Sequence, residues 1–246
     1  MDRSLYVSMS GAQQTMRALQ ANNNNLANAN TKGFRADLTD FRSMPVYGDG
    51  YPTRVYAMAE RPTVDFTAGT VRSTDRPLDI AVEGEGWIAV QAKDGSEAYT
   101  RAGDLHIDNG GLLVTASGLP VIGNGGAIAI PPAENMVIGN DGTISIQPVG
   151  QTANALVILD RIKLVKPDQN ELVKGEDGLM RLSTGIDAEA DASVGVVSGA
   201  VETSNVNMVD SLVNMISLQR LYESQIKLMK SVEEMDSSVD QLMRLS

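Results

Sequence analysis

The 246-residue chain contains no cysteine and a single histidine, His106. A chain without thiols cannot form a disulfide, a thiolate nucleophile or a zinc–thiolate site, and one imidazole cannot build a histidine cluster or relay. Asp104 and Asp108 flank His106, but among 31 acidic residues such pairs arise by chance. We therefore predict that His106 is a surface strand residue, that the chain is not an enzyme, and that it carries no cofactor.

Aromatic residues make up only 4% of the chain, whereas ligand pockets and stacking platforms usually use more of them. A carbohydrate-binding β module is an alternative, but it would need exposed aromatics on one sheet face. Trp87 begins an apolar strand and is predicted to lie in the core. Gly84-Glu85-Gly86 lacks the third glycine and the lysine of a phosphate-binding loop.

Negative charge exceeds positive charge, with 31 Asp or Glu against 20 Lys or Arg and a net charge of −11. Nucleic acids and anionic membrane surfaces both favour a basic patch, so neither is an expected partner. No apolar run approaches 18 residues, which argues against a spanning helix. The first fifteen residues have no apolar stretch of the kind found in secretory signal peptides, so export by another route stays open.

Residues 1–42 are predicted to form an N-terminal helix and its exit turn. Leu5, Ala12, Leu19 and Leu26 share one heptad position, while Met9, Met16 and Asn23 share the other. Six asparagines lie between positions 22 and 30. Asparagine and glycine end helices, so the helix should stop between Asn28 and Gly33.

Residues 43–76 contain several prolines and glycines, and we predict an extended connector with little regular structure. Residues 77–202 change to short alternating apolar runs, at 78–82, 87–90, 105–107, 112–115, 143–146, 156–165 and 179–182. Asp-Gly or Asn-Gly pairs separate several of these runs and supply the positive φ of tight hairpins. A mostly antiparallel β domain is predicted here.

Residues 203–246 return to a helical pattern with Ser204 or Asn205 as the predicted N-cap. Apolar residues recur at steps of three and four. About forty helical residues would span roughly 60 Å, which indicates bundling with other helices. The predicted fold is therefore α+β, with long N- and C-terminal helices that form a coiled-coil-like bundle and, between them in the sequence, a central, mostly antiparallel β domain.

The helices are nearly neutral, and this suits surfaces that become buried. Residues 1–42 hold five Lys or Arg against three Asp or Glu, and residues 203–246 hold four against six. Two paired helices each bury only one stripe, so apolar residues remain for further association. We predict self-assembly through the helices; a monomer whose helices fold back on the sheet is the alternative.

Three sequence blocks resemble the bacterial flagellar rod and hook protein family. The stretch N-N-L-A-N-A-N-T-K-G-F at 24–34 is similar to the N-terminal signature of that family. R-P-L-D-I-A-V-E-G-E-G-W at 76–87 and A-Y-T-R-A-G at 98–103 are similar to the opening of its β domain. E-T-S-N-V-N at 202–207 and Q-R-L-Y-E at 219–223 resemble its C-terminal signature.

The resemblance implies a non-catalytic subunit of the flagellar basal body. Such a protein would be exported through the type III apparatus without a cleaved signal peptide and would polymerise into a hollow, periplasm-spanning rod that transmits torque. Its partners would be copies of itself, the inner and distal rod proteins and the export apparatus, with no nucleic acid or small-molecule substrate.

Within the family, Trp87, the short length and Asp75 in place of a glycine favour the proximal rod type. A distal rod or related axial protein and a non-polymerising adaptor or cap are the alternatives. Asn24 and Asn25 are expected to form hydrogen bonds between packed subunits, and Asn23 to fix register. The predicted assembly interface comprises Leu5, Met9, Ala12, Met16, Leu19, Asn23, Asn24, Asn25, Leu26, Asn28, Gly33, Phe34, Asn205, Val206, Val209, Leu212, Val213, Ile216, Tyr222, Ile226, Met229, Val232, Val239 and Leu242.

Overall fold

The computed structural model describes residues 3–39, 41–45, 55–59, 63–148 and 156–245. The chain forms two compact units. The helical unit comprises Met1–Ala29, Ala36–Asp65 and Val206–Ser246, and the β unit comprises Asn30–Arg35 and Phe66–Asn205. The predicted exit turn and connector are thus shared between the two units.

Two long helices build the helical unit: α1, Arg3–Ala27, and α2, Met208–Leu245. They pack against each other in antiparallel directions, because Asn22 meets Ser211 whereas Gly11 lies against Gln225. Helix α1 ends at the asparagine tract, as predicted. The predicted N-cap of α2 is wrong by two or three residues, because the side chain of Asn207 accepts the N–H groups of Val209 and Asp210.

Short antiparallel strand pairs complete the helical unit. Its strands are β1 Asp37–Leu38, β2 Phe41–Pro45, β3 Val55–Ala59 and β4 Thr63–Val64. β1 pairs with β4, β2 pairs with β3, and β3 packs against α1. The segment predicted as a connector therefore contains paired strands. Its residues 46–54 and 60–62 lie outside the described part of the chain.

The β unit consists of short strands and one 3-10 turn at Gln169–Glu171. The strands are β5 Val71–Ser73, β6 Ile80–Glu83, β7 Trp87–Gln91, β8 Glu97–Thr100, β9 Leu105–Ile107, β10 Leu113–Thr115, β11 Ile122–Gly123, β12 Gly126–Ala127, β13 Ala133–Ile138, β14 Thr143–Pro148, β15 Val157–Arg161, β16 Leu164–Val165, β17 Leu172–Lys174, β18 Met180–Leu182, β19 Gly195–Ser198 and β20 Ala200–Glu202.

All of these strand pairs are antiparallel. The largest sheet has the order β16-β7-β8-β18-β17, and a second has the order β13-β14-β15. The remaining strands pair as β9 with β10, β11 with β12, β6 with β19, and β5 with β20. The α+β class and the mostly antiparallel β domain are confirmed. The described residues contain two α-helices, so a coiled-coil-like bundle stays a prediction.

The core of the β unit is aliphatic, as expected for a chain with few aromatics. Its centre comprises the buried residues Ile80, Val82, Ile88, Val90, Leu105, Leu113, Val121, Ile128, Ile144, Ile146, Ile162, Leu164 and Val196. The hairpin turns follow the predicted chemistry: Gly142, between β13 and β14, has φ 82°, and Gly178, between β17 and β18, has φ 79°.

Replacing Ile144 by alanine should destabilise the β unit by about 2–5 kcal/mol, because the side chain is fully buried and its removal leaves a cavity. The unfolding midpoint in urea, followed by the fluorescence of the single tryptophan, Trp87, measures this change. Val137→Ala on the neighbouring strand β13 is the control, since that side chain is half exposed. Equal shifts for both variants would contradict the assigned core.

Candidate assembly surface

Helix α1 is covered on one side and open on the other. Ala12, Thr15 and Ala18 are buried, because α1 packs against both α2 and β3. By contrast, Met9 is 59% exposed and Met16 is 44% exposed. The predicted heptad of Leu5, Ala12, Leu19 and Leu26 follows the covered side, with Ala12 buried and the three leucines half-buried. The second heptad position, with Met9, Met16 and exposed Asn23, faces outward.

Two contacts that the sequence patterns did not reveal fix the helix pair. The amide of Asn22 donates a 2.8 Å hydrogen bond to the carbonyl of Ser211. At Gly11, an added Cβ would lie 3.1 Å from Nε2 of Gln225, so this glycine permits a close approach of the helices. A glycine inside a helix costs about 1 kcal/mol, and its presence there is the signal that could have identified the crossing.

An apolar groove lies between the outward side of α1 and the middle of α2. Its volume is about 490 Å³, and its lining is Met9, Ala12, Gln13, Met16, Arg17, Gln20, Tyr222, Ile226 and Met229. Six of these nine residues belong to the predicted assembly interface. Since Tyr222, Ile226 and Met229 are half-buried, the groove is partly closed already in the single chain.

A second apolar surface, which we call the α2 ridge, comprises Val209, Leu212, Val213 and Ile216. All four are exposed, with Val209 at 67%. Rotation by 100° per residue places them on the side of α2 opposite buried Ser211 and half-buried Met215 and Leu218. The groove and the α2 ridge are therefore distinct surfaces of the helical unit.

Two further predicted residues are covered within the single chain. Val232 is buried in the helical unit, and Val206 is half-buried ahead of the helix. Val239 and Leu242 lie within α2, but their side chains fall outside the described part of the structure.

The asparagine tract is used inside the chain. The side chain of Asn25 accepts the N–H of Asp37 and donates to its carbonyl, both at 2.8 Å, so it pairs with β1 as a strand would. The side chain of Asn28 donates to the carbonyl of Asn24 at 3.0 Å and thereby caps the helix end. The amide of Asn25 is therefore engaged within the helical unit, and the expectation that Asn24 and Asn25 form hydrogen bonds between subunits stays a prediction.

Other signature residues are packed within the β unit. Gly33 has φ 67°, as its position at the helix exit predicts, and donates to the carbonyl of Glu202 at 2.9 Å. The ring of Phe34 lies 3.9 Å from Nζ of Lys174. Asn205 donates from its side chain to the carbonyl of Thr67 at 3.1 Å. These contacts give Gly33, Phe34 and Asn205 a role in the fold of the β unit, and their part in the assembly interface stays a prediction.

A buried charge cluster within the β unit joins Arg35, at the end of its first segment, to Glu202, near the end of its second segment. The carboxylate of Glu202 contacts Nη1 of Arg35 at 2.6 Å and Nη1 of Arg101 at 2.9 Å. It also accepts the N–H of Gly69 at 2.8 Å. Both guanidinium groups lie over the ring of Trp87, at 5.9 and 5.5 Å from its centroid. The prediction that Trp87 is a core residue is confirmed, since its side chain is buried.

Several carboxylates of the β unit that have a lowered pKa lie in turns. Hydrogen bonds from the hydroxyl and N–H of Ser96 lower the pKa of Asp94, and those from Thr143 do the same for Asp141. Hydrogen bonding to the Arg181 guanidinium lowers the pKa of Asp177. Burial raises the pKa of Tyr99 to about 12. Such local partners indicate structural roles, because an active site would combine shifted groups in one cleft.

A larger cleft in the β unit also lacks catalytic chemistry. Its volume is about 1040 Å³, and its acidic lining residues are Asp108 and Glu134. The Asp108 carboxylate accepts the N–H groups of Gly110 and Leu112, each at 2.8 Å, so it holds the turn before β10. His106 is exposed on β9, as predicted. Among the described residues no group of three His, Asp or Glu could hold a metal ion, and no helix is long and apolar enough to cross a membrane.

Comparison with known families finds three regions of the chain that match flagellar axial proteins. Residues 5–35 match the flagella basal body rod protein family, and residues 81–146 match the flagellar hook protein FlgE/F/G D1 domain. Residues 197–242 match the C-terminal family of flagellar basal body rod FlgEFG proteins. The architecture and these matches define a structural protein of the flagellar axis.

Relatives that match over the full length of the chain identify the family more precisely. The chain is 42% identical over 252 residues to the flagellar basal-body rod protein FlgF of Escherichia coli K12, with all of both chains covered. It is 41% identical to FlgF of Salmonella typhimurium over the same coverage. It is also 33% identical to the rod protein FlgG of Bacillus subtilis, over 94% of this chain and 96% of the relative. The chain therefore belongs to the flagellar basal-body rod protein family and is a structural protein of the basal body, not an enzyme.

Gly33→Ala should destabilise the β unit by more than the conformational cost of a positive φ, which is about 1–2 kcal/mol. The added Cβ would collide with the backbone of Arg101, in addition to the strain at φ 67°. Gly118→Ala isolates the conformational cost, because Gly118 has φ 77° but open space around it. Urea unfolding of both variants separates the two effects. Equal losses would show that close packing at Gly33 is unimportant.

Glu202→Ala should cost about 3–5 kcal/mol of stability, because it leaves two buried guanidinium groups without their carboxylate. The Glu85→Ala control removes an exposed partner, 3.4 Å from Lys166, and should cost at most about 1 kcal/mol. Thermal unfolding by far-UV circular dichroism measures both. A small loss for Glu202→Ala would mean that the charge cluster does not hold the β unit together.

Proposed function

We propose that the chain is a proximal rod subunit that polymerises through its helical unit into a hollow shaft. The observation that carries the proposal is the apolar surface left exposed by α1 and α2, at the groove and at the α2 ridge. Exposed apolar residues that cluster along a helix mark association sites. In the proposed assembly, helices from several copies form a coiled-coil-like bundle around the inner tube.

Torque transmission is the proposed task of this shaft. A subunit that carries torque must resist pulling at the segments where its chain passes between units. Residues 33–35 and 200–205 are such segments. Glu202 ties the first of them to Arg101 of the β unit through its contact with Arg35, and Asn205 donates its N–H to the carbonyl of Phe34. This cross-linking supports a mechanical role, because load on either segment is shared with the sheet.

The proposed partners are further copies of the chain, the inner and distal rod proteins and the flagellar type III export apparatus. The proposed location is the periplasm-spanning rod, reached without a cleaved signal peptide. Another rod protein of the same family is the second candidate, favoured by the 33% identity to FlgG of Bacillus subtilis. A non-polymerising adaptor or cap would share the fold but would not need both exposed surfaces.

Glutamate at both Val209 and Val213 should abolish swimming in a strain that lacks the native gene. Both side chains are exposed, so the double variant should still fold, and its β unit should keep the fluorescence of Trp87. The swim zone on soft agar and the amount of the chain in purified basal bodies measure the effect.

Ile186→Glu is the matched control, because Ile186 is 73% exposed on the β unit. It should swim as the native chain does. Normal swimming and normal incorporation of the Val209 and Val213 double variant would refute assembly through α2.

A further inference from the structure

We propose that the α2 ridge of one copy docks into the groove of a second copy, so that subunits join head to tail. The inference rests on the proposed function and deepens it, because it names the two surfaces that meet and gives the assembly a direction. The occupant of the groove is therefore a second copy of this chain, and each docked copy leaves one free ridge and one free groove.

The α2 ridge has the spacing of a helix that binds in a groove. Val209, Leu212, Val213 and Ile216 occupy positions i, i+3, i+4 and i+7, which place four side chains in one line. Between Val209 and Ile216 the helix rises by roughly 10 Å. The four side chains are aliphatic and exposed, so docking would bury them at the cost of little polar desolvation.

The groove has matching length and chemistry. Along α1 it runs from Met9 to Gln20, a rise of roughly 16 Å, which is long enough for the two turns of the α2 ridge. Its apolar lining includes Met9, Met16 and Met229. Methionine side chains are flexible and adapt to the branched side chains of a docking helix.

Charge complementarity favours a second copy over an unrelated apolar helix. The sequence of α1 contains two arginines and no acidic residue, and Arg17 is the charged residue that lines the groove. In the first three turns of α2 the charged residue is Asp210, which is exposed beside the α2 ridge. Docking would bring a surface with a positive border against one with a negative border.

The geometry excludes docking within one copy and disfavours a closed two-fold dimer. The groove residues of α2 are centred near Ile226 and the α2 ridge near Leu212, which are roughly 20 Å apart along the helix. At 100° per residue the two surfaces also differ in direction by roughly 120° around α2. Because the two surfaces point in different directions, we expect each of them to meet a different copy, and a head-to-tail contact of this kind generates a ring or an open helix.

Disulfide cross-linking tests the contact, since the chain has no cysteine of its own. Two differently tagged full-length copies, one with Met16→Cys and the other with Val213→Cys, are expressed together in cells lacking the native gene. Mild oxidation of their basal bodies should yield a product of twice the chain mass that carries both tags. Leu228→Cys replaces Val213→Cys in the control, because Leu228 is equally exposed but lies off the α2 ridge. It should give at least tenfold less of this product.

Equal cross-linking of the Leu228 control, or a Val213 product that contains a different protein, would overturn the inference. A charge exchange provides a second readout that needs no oxidation. Arg17→Glu and Asp210→Arg should each reduce the swim rate at least threefold, and the two together in one chain should restore it. Asp210→Asn controls for the loss of an acidic residue from the first turn of α2.

The outcomes separate this inference from the proposed function. If glutamate at Val209 and Val213 abolishes incorporation but the cysteine pair does not cross-link and the charge exchange does not restore swimming, the helices assemble by another pairing and this inference fails alone. If every variant incorporates as the native chain does, both this inference and assembly through α2 fail.

Discussion

The contact between Glu202 and its two arginines is the interaction on which the β unit depends. The β unit is built from two separate parts of the chain, Asn30–Arg35 and Phe66–Asn205, and Glu202 lies near the end of the second part. Glu202 forms ion pairs with Arg35 and Arg101, and Trp87 covers both guanidinium groups. A buried ion pair is a poor source of net stability, but its directional contacts hold three distant segments in one register.

Gly33 shows how the same region fixes the path of the backbone. Its N–H bonds to the carbonyl of Glu202, and its missing side chain lets the backbone of Arg101 approach. In the helical unit, Gly11 and Asn22 bring α1 and α2 into contact. Met9, Met16 and the α2 ridge stay exposed. The β unit is therefore held at this point by a buried charge cluster, while the helical unit leaves apolar side chains of both helices exposed.

Sequence periodicity predicted the elements more reliably than the contacts. Two long helices, the antiparallel β domain, the buried Trp87 and the positive φ of Gly33 all follow from local pattern. The apolar run at 156–165 was read from the sequence as one segment, but in the structure it contains β15 and β16, which belong to different sheets. The pairing of β2 with β3 could not be read from a segment rich in proline and glycine, since strand pairing there depends on packing against α1.

The roles of individual polar residues were harder to predict, because the sequence does not show whether a polar side chain forms its hydrogen bonds within its own chain or with a neighbouring subunit. Asn25 looks like a contact residue until its two bonds to Asp37 are seen, and Arg35 and Glu202 lie 167 positions apart. Several residues of the family signatures, such as Asn25 and Gly33, thus make contacts within their own chain. The surfaces proposed for assembly instead carry ordinary methionine, valine, leucine and isoleucine, and only their exposure in the folded chain sets them apart from core residues.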